Sequence, residues 1–337
     1  MTRGYPPPMR ILVTGGAGYV GSVSVEALVE AGHEVVVLDN LSTGRRSADL
    51  LGAELVDGTY TDLPFMTSLL RDRKIEAVLH CGARSLVGES IRDPALYFRE
   101  NLGGGVALLE AMRDVGVGRL VISSTAAVYG VPESSPIDED APLRPINPYG
   151  ESKRGLEAAA RWFARAYGLR AASLRYFNVA GASERNGEVH DPETHLIPNV
   201  LTAAAGGAPL TLFGADYPTR DGTAIRDYVH VVDLADAHRI ALEATAPGDP
   251  RLDGHDGHLV ANLGSGEGFS VREVLDAAER VIGHPVPHSI GARREGDPPT
   301  LVASIDRGRD VLGWAPRRSS LGEMIGSAWA WRQARQG

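Results

Sequence analysis

"MRILVTGGAGYVGS" (residues 9–22) passes from a short apolar, β-branched run through clustered glycines into a segment with helical spacing. The first part reads as a buried parallel strand. The helix continues through "VSVEALVEAG" (23–32) and stops at Gly32. Between strand and helix, Gly16, Gly18 and Gly21 give G-x-G-x-x-G, with Gly15 just ahead of them. The first glycine of such a turn allows the tight bend, the second lets backbone approach a pyrophosphate, and the third lets helix pack on strand. The helix N-terminus then offers free N–H groups and a partial positive charge to the anion. Asp39 closes the second strand, "HEVVVLD" (33–39), at the spacing where an acid accepts hydrogen bonds from ribose hydroxyls and repels a 2′-phosphate. The stretch predicts a dinucleotide-binding unit that prefers NAD to NADP.

Outward from this turn the same rhythm repeats. "AELVD" (53–57), "EAVLHC" (76–81), "GRLVISS" (118–124) and "LRAASLRYFN" (169–178) read as further strands. Helical patterns run through "PALYFRENLGGGVALLEAMRDVG" (94–116) and "NPYGESKRGLEAAARWFARAYG" (147–168). In the first of these, three consecutive glycines weaken the middle. Strands alternating with helices predict a Rossmann-type doubly wound parallel sheet, an α/β fold. After Asn178 the rhythm breaks into a long polar loop, "VAGASERNGEVHDPETHLIP" (179–198), then short strands ("PLTLFG", "HLVANLG") and helices. The expected division is a nucleotide-binding domain over 1–178, joined by about 228–247, and a smaller mixed α/β substrate domain over 179–337.

Two further runs carry chemistry: "STAAVYG" (124–130) and "NPYGESK" (147–153). Tyr149 and Lys153 stand one helical turn apart. A free phenol, with a pKa near ~10, is a poor base at neutral pH. An ammonium close by, together with a positively charged nicotinamide, favours the phenolate. Thr125, after the fifth strand, can hydrogen-bond the hydroxyl from which such a phenolate takes its proton. After a dinucleotide turn, this trio predicts hydride chemistry at a carbinol carbon.

Through these motifs together the chain resembles the extended short-chain dehydrogenase/reductase superfamily, and within it the bacterial UDP-glucose (UDP-galactose) 4-epimerases. The likeness rests on "TGGAGYVGS", "LDNLSTG", "NPYG.SK", "LRYFNVAGA", "DGT.IRDYVHV.DLA.AH", "NLGSG.G.SV.EV" and "RREGDPP". It implies reversible oxidation at sugar C4, with Tyr149 as base, Lys153 holding the nicotinamide ribose and Thr125 orienting the hydroxyl. It further implies that Gly15, Gly18, Tyr19, Val20, Gly21, Asp39, Asn40, Ser42, Gly44, Thr59 and Tyr60 bind the adenosine half or the diphosphate of NAD. Cys81, Gly82, Ala83, Arg84, Asn101 and Phe177 line the rest of the cofactor path. The UDP-hexose falls to Asn178, His195, Leu196, the strand carrying Thr211, Leu212 and Phe213, Arg226, Arg294, Asp297 and Leu301. Relatives of this kind are commonly homodimers built on the helices of residues 94–116 and 147–168.

Several places depart from the family pattern. Thr59 and Tyr60 stand where an aspartate and an aliphatic residue are usual, and "HCGARS" replaces a commoner phenylalanine–alanine start. Arg84 replaces a lysine, and His195 stands where an asparagine can contact the sugar nucleotide. Leu301 occupies the place of a bulky tyrosine in hexose-restricted relatives, which leaves room for an N-acetyl group. Epimerisation of UDP-N-acetylglucosamine, UDP-glucuronate or a pentose is therefore an alternative. A 4,6-dehydratase is disfavoured, because Ala126 and Ala127 have no proton to give where dehydratases carry Asp-Glu. A non-catalytic NAD sensor is disfavoured by the intact Thr125, Tyr149 and Lys153.

Bulk properties narrow the rest. The 337 residues are 43% hydrophobic with a net charge of -9, enough for a sizeable core and with no basic footprint for nucleic acid or an anionic membrane. No apolar run reaches the ~18 residues of a membrane span, and "MTRGYPPPMR" lacks a signal-peptide core. A single cysteine, Cys81, fits a reducing cytoplasm and reads as a small buried hydrophobe. His255 and His258 have metal-like spacing but no clustered partners, so no metal is expected.

Overall fold

The computed structural model describes residues 8–190, 192–294 and 297–335. β1 (Arg10–Thr14) turns through Gly15–Gly18 into α1 (Tyr19–Glu30), which returns the chain to β2 (Glu34–Asp39) alongside β1. β3 (Glu54–Asp57) extends the sheet beyond β2, and after α2 (Leu63–Asp72) the chain crosses back to place β4 (Ala77–His80) on the other side of β1. α3 (Val87–Arg92), α4 (Pro94–Tyr97) and α5 (Gly104–Val115) lead to β5 (Arg119–Thr125), and α6 (Pro148–Tyr167) to β6 (Arg170–Tyr176). The central strands are almost wholly buried, as expected of a parallel sheet covered on both faces. One core lies on each side: Ile11, Val13, Val25, Leu28 and Leu79 on one, Leu12, Val78, Met66, Leu108 and Leu156 on the other.

The glycine-rich middle of the 94–116 segment has a packing reason that composition did not show. α4 and α5 are joined by a wide π turn over Phe98–Gly103. A Cβ on Gly105 would fall 2.6 Å from Leu156 of α6, and one on Gly104 would fall 2.6 Å from Thr61 and 2.7 Å from Tyr60. Glycine there costs helix propensity and gains close approach on two sides.

The second half supplies β7 (Asn178–Ala180), α7 (Leu196–Ala204), β8 (Leu210–Phe213), β9 (Ile225–His230) and α8 (Val231–Ala244). β10 (His258–Leu263), β11 (Gly268–Ser270), α9 (Val271–Ile282), β12 (His288–Gly291), β13 (Thr300–Leu301) and α10 (Leu321–Ala334) follow. β9 is flanked by β11 and β13 and also pairs with β7; β12 pairs with β8. α7, α9 and α10 pack over these strands around Val200, Val274, Leu275 and Met324. α8 packs on α1, through Val23, Val231 and Ala235. β10 departs from the expected division at 178. It pairs with β6 over six residues and completes a seven-stranded parallel sheet, β10-β6-β5-β4-β1-β2-β3. Its sequence says strand; only the long-range partner says which sheet.

Candidate active site

At the C-terminal edge of the large sheet the turn after β1 is held from both sides. Gly15, rather than Gly16, takes the positive φ (67°), and its N–H donates to the Leu38 carbonyl at 2.7 Å. A Cβ on Gly15 would sit 2.6 Å from the Gly82 backbone, and one on Gly21 only 2.1 Å from the Gly15 carbonyl oxygen. Gly16 has a different duty from the one expected, clearing the Val37 side chain. A Cβ on Gly18 meets only the Gly15 oxygen, at 3.3 Å, leaving an open cradle at the start of α1. Asp39 ends β2 buried, its carboxylate accepting from the Ala17 N–H at 3.0 Å and the Leu41 N–H at 2.8 Å. Burial pushes its carboxyl up, and those two N–H bonds oppose the shift. Gly44 packs directly on this carboxylate, where a Cβ would come within 2.6 Å of Oδ1.

The Tyr–Lys pair rides on the first turns of α6. Asn147 caps the helix, its Oδ1 accepting from the Gly150 N–H at 2.9 Å, with Pro148 at the first helical position. Gly150 lets the helix start sit against the Ala127 carbonyl, which a Cβ would meet at 2.5 Å. Tyr149 thereby lines the same cavity as Thr125 at the end of β5, whose hydroxyl oxygen accepts from the Ala127 N–H at 3.1 Å. Burial pushes the Tyr149 phenol up, and the neighbouring Thr125 hydroxyl opposes the shift. Lys153 is buried and donates to the Ser123 carbonyl at 2.9 Å; burial draws its ammonium down to about 8. The Lys153 ammonium is thus engaged by a carbonyl while it lines the cavity with Tyr149. One turn on, Glu157 accepts from Ser124 at 2.5 Å and from Arg175 at 2.6 Å, a buried bond set that pins the end of β5.

A cavity of about 1120 Å³ joins these parts and continues to Phe177, Asn178, Arg226, Arg294, Asp297 and Leu301. Arg226 pairs with Asp297 at 2.5 Å, and the Arg294 guanidinium lies 4.1 Å over the Phe213 ring. The cradle at Gly18, the Asp39 carboxylate facing the cavity and the trio at Thr125 fit a nicotinamide dinucleotide.

Residues 11–253 match the NAD dependent epimerase/dehydratase family. The chain belongs to that family. It is 51% identical over 327 residues to the UDP-glucose 4-epimerase of Streptomyces lividans, covering 96% of both chains. With the UDP-glucose 4-epimerase of Corynebacterium glutamicum it shares 47% identity, over 97% of this chain and 96% of the relative. The crystal structure of UDP-glucose 4-epimerase from Brucella ovis in complex with NAD superimposes with a TM-score of 0.90 at 42% identity, over 96% of this chain and 98% of that one.

Within this epimerase/dehydratase chain, most residues singled out from sequence line the one cavity, and seven do not. Gly44 supports Asp39 from behind. Thr59 bonds Thr61 at 2.9 Å. Asn101, buried in the π turn, acts through backbone: its amide accepts from the Arg84 N–H at 2.8 Å and donates to the Arg84 carbonyl at 2.9 Å. Leu196 packs into the core beneath α7, and Leu212 is buried in the same core. Thr211 and Phe213 point out of β8, with Phe213 reaching the site only under Arg294. Tyr60 has a local explanation: its ring meets His80 edge-on at 4.9 Å and fills the space above Gly82, where a Cβ would come within 2.7 Å of it. Cys81 is held as a thiol, pushed up to about 11 by burial. His258 is a buried partner of Ser173 at 2.8 Å, held down to about 4, and His255 is a surface residue on its loop.

Sequence reading missed Thr43, Glu100, Asn147, Glu188, His190, Glu193 and Asn199 in the cavity wall. A signal existed for the acids and the imidazole: Glu-x-His occurs twice, at 188–190 and 193–195. Among the described residues, no helix is long and apolar enough to cross a membrane.

Proposed function

We propose that this chain is an NAD-dependent 4-epimerase of UDP-hexoses, interconverting UDP-glucose and UDP-galactose. The observation that carries the reading is that Thr125, Tyr149 and Lys153 line one wall of a cavity that also takes in the dinucleotide cradle at Gly18 and the guanidinium groups of Arg226 and Arg294. Bound NAD supplies the acceptor, and later the donor, of the hydride from sugar C4. The Tyr149 phenolate takes the proton of the 4-hydroxyl as that carbon is oxidised, and returns it when the ketone is reduced on its opposite face. Thr125 aims the hydroxyl. Lys153 holds the ribose on the cofactor side, and burial keeps the exchange away from water. Arg226 and Arg294 suit a diphosphate, whose oxygens guanidinium forks bind bidentately. Anchoring by the nucleotide leaves the keto sugar free to turn.

Ala126 and Ala127, which line the cavity after Thr125, offer no acid for eliminating water. This favours epimerisation over dehydration. Leu301, on β13 beside Arg226, also lines the cavity and favours a second substrate, UDP-N-acetylglucosamine. We assign the enzyme to the cytoplasm as a homodimer. The exposed Trp162 and Tyr167 of α6, with Ile91 and Phe98 ahead of α5, support a subunit contact there. A panel of nucleotide sugars with products resolved at C4 tests the function. Turnover of UDP-glucose to UDP-galactose is expected, and absence of any C4-inverted product overturns it. Mass analysis of the extracted cofactor should give NAD; mainly NADP would overturn the role of Asp39.

A further inference from the structure

The two Glu-x-His pairs, of which the sequence singled out only His195, fold onto one spot of the cavity wall, ahead of α7. The Glu188 carboxylate, 8% exposed, meets Nδ1 of His190 at 3.0 Å and Nδ1 of His195 at 2.8 Å. His195 Nδ1 also lies 2.9 Å from Glu193 Oε1. One ligating atom from each of the four residues lies within 4.8 Å of every other. The set is two imidazole nitrogens and two carboxylate oxygens.

Glu188 and Glu193 line the same cavity as the cradle at Gly18. Glu188 and Glu193 are close enough to Tyr19, at the start of α1, to push its phenol further up than burial alone. Two carboxylates thus stand beside the turn at which a cofactor diphosphate binds. The sugar nucleotide adds a second diphosphate, and repulsion at such range is strong in a partly dry cavity.

We propose that Glu188, His190, Glu193 and His195 form a binding site for a borderline divalent cation, of the zinc or cobalt kind, beside the bound diphosphates. Its placement next to a substrate diphosphate rests on the epimerase reading. Two imidazoles select a borderline ion over magnesium or calcium, which take oxygen sets. Tetrahedral bonds of about 2.1 Å put ligand atoms about 3.4 Å apart, so the present contacts open by roughly half an ångström as the ion replaces the shared Nδ1 protons.

The test loads NAD-bound protein with Co2+ or Zn2+ by dialysis, then measures metal content and the visible cobalt spectrum, with and without UDP. One equivalent with a tetrahedral cobalt spectrum is expected. Affinity should fall at least ~10-fold in Glu188→Gln and in His190→Asn, the second variant serving if the first does not fold. UDP should tighten binding. Substoichiometric metal, unchanged affinity in the variants, or no effect of UDP overturns the proposal. Epimerase failure reads separately: protein that binds cobalt stoichiometrically but inverts no UDP-sugar keeps the cation site and loses the function.

Discussion

Tyr149 concentrates the chemistry of the site, and its surroundings say why phenol and ammonium were legible as a pair while their energetics were not. The i, i+4 spacing and the strand-end threonine could be read directly. The consequence of burial could not: it raises the Tyr149 phenol and lowers Lys153 to about 8, opposite to what a solvent-exposed pair would show. Replacing Tyr149 with Phe keeps the ring packing and removes only the proton acceptor. Turnover should fall by at least ~10²-fold, with the circular-dichroism spectrum and NAD content unchanged. Near-normal epimerisation by that variant would remove Tyr149 from the mechanism. At Leu301 the argument concerns volume. Leu301→Tyr should suppress UDP-N-acetylglucosamine turnover selectively and spare UDP-glucose, since a pocket discriminates chiefly by what it excludes. If wild type epimerises UDP-glucose well and leaves UDP-N-acetylglucosamine untouched, Leu301 does not set the specificity.

Elements position these residues by close approach, and the glycine turn shows how two glycines of one motif fail differently. A Cβ on Gly21 would stand 2.1 Å from the fixed backbone oxygen of Gly15, so α1 must move off β1. Gly21→Ala should cost about 1–3 kcal/mol, as overpacking does, and show a lower denaturation midpoint even without cofactor. Gly18 has no such neighbour and faces the cavity. Gly18→Ala should keep the midpoint of apo-protein while retaining far less NAD through purification; equal loss of stability in both variants would refute this division of labour. The motif itself was plain in the sequence because strand, turn and helix are local. β10 was recognisable as a strand, yet its pairing with β6, His258 opposite Ala171, is set by a partner far away in the chain. The π turn at Phe98–Gly103 left no local sign beyond its glycines.

Over the whole molecule, burial holds several imidazoles toward the neutral form, and three of them in the large domain, His238, His80 and His258, tie its layers through hydroxyl partners. His238 of α8 stands 3.1 Å from Ser24 of α1 and 3.1 Å from Ser123 of β5. His80 of β4 meets Thr14 of β1 at 2.7 Å, and His258 of β10 meets Ser173 of β6 at 2.8 Å. Burial lowers His238 and His80 to about 3 and His258 to about 4. Between these values and the unfolded value near ~6.5 the unfolded chain binds more protons, so these groups take stability away as pH falls through that window. The buried carboxylates Asp227 and Glu139 are shifted up and act in the opposite sense, adding stability on the acid side that is lost as pH rises through their raised values. A comparison of variants cancels that background. His238→Gln keeps hydrogen-bonding capacity toward Ser24 and Ser123 but cannot titrate. Its melting temperature should lie below wild type at pH 7.5, where packing alone is compared, and the gap should narrow steadily as pH is lowered from 6.5 toward 4. A gap that stays constant across that range would show that His238 does not carry the proton linkage.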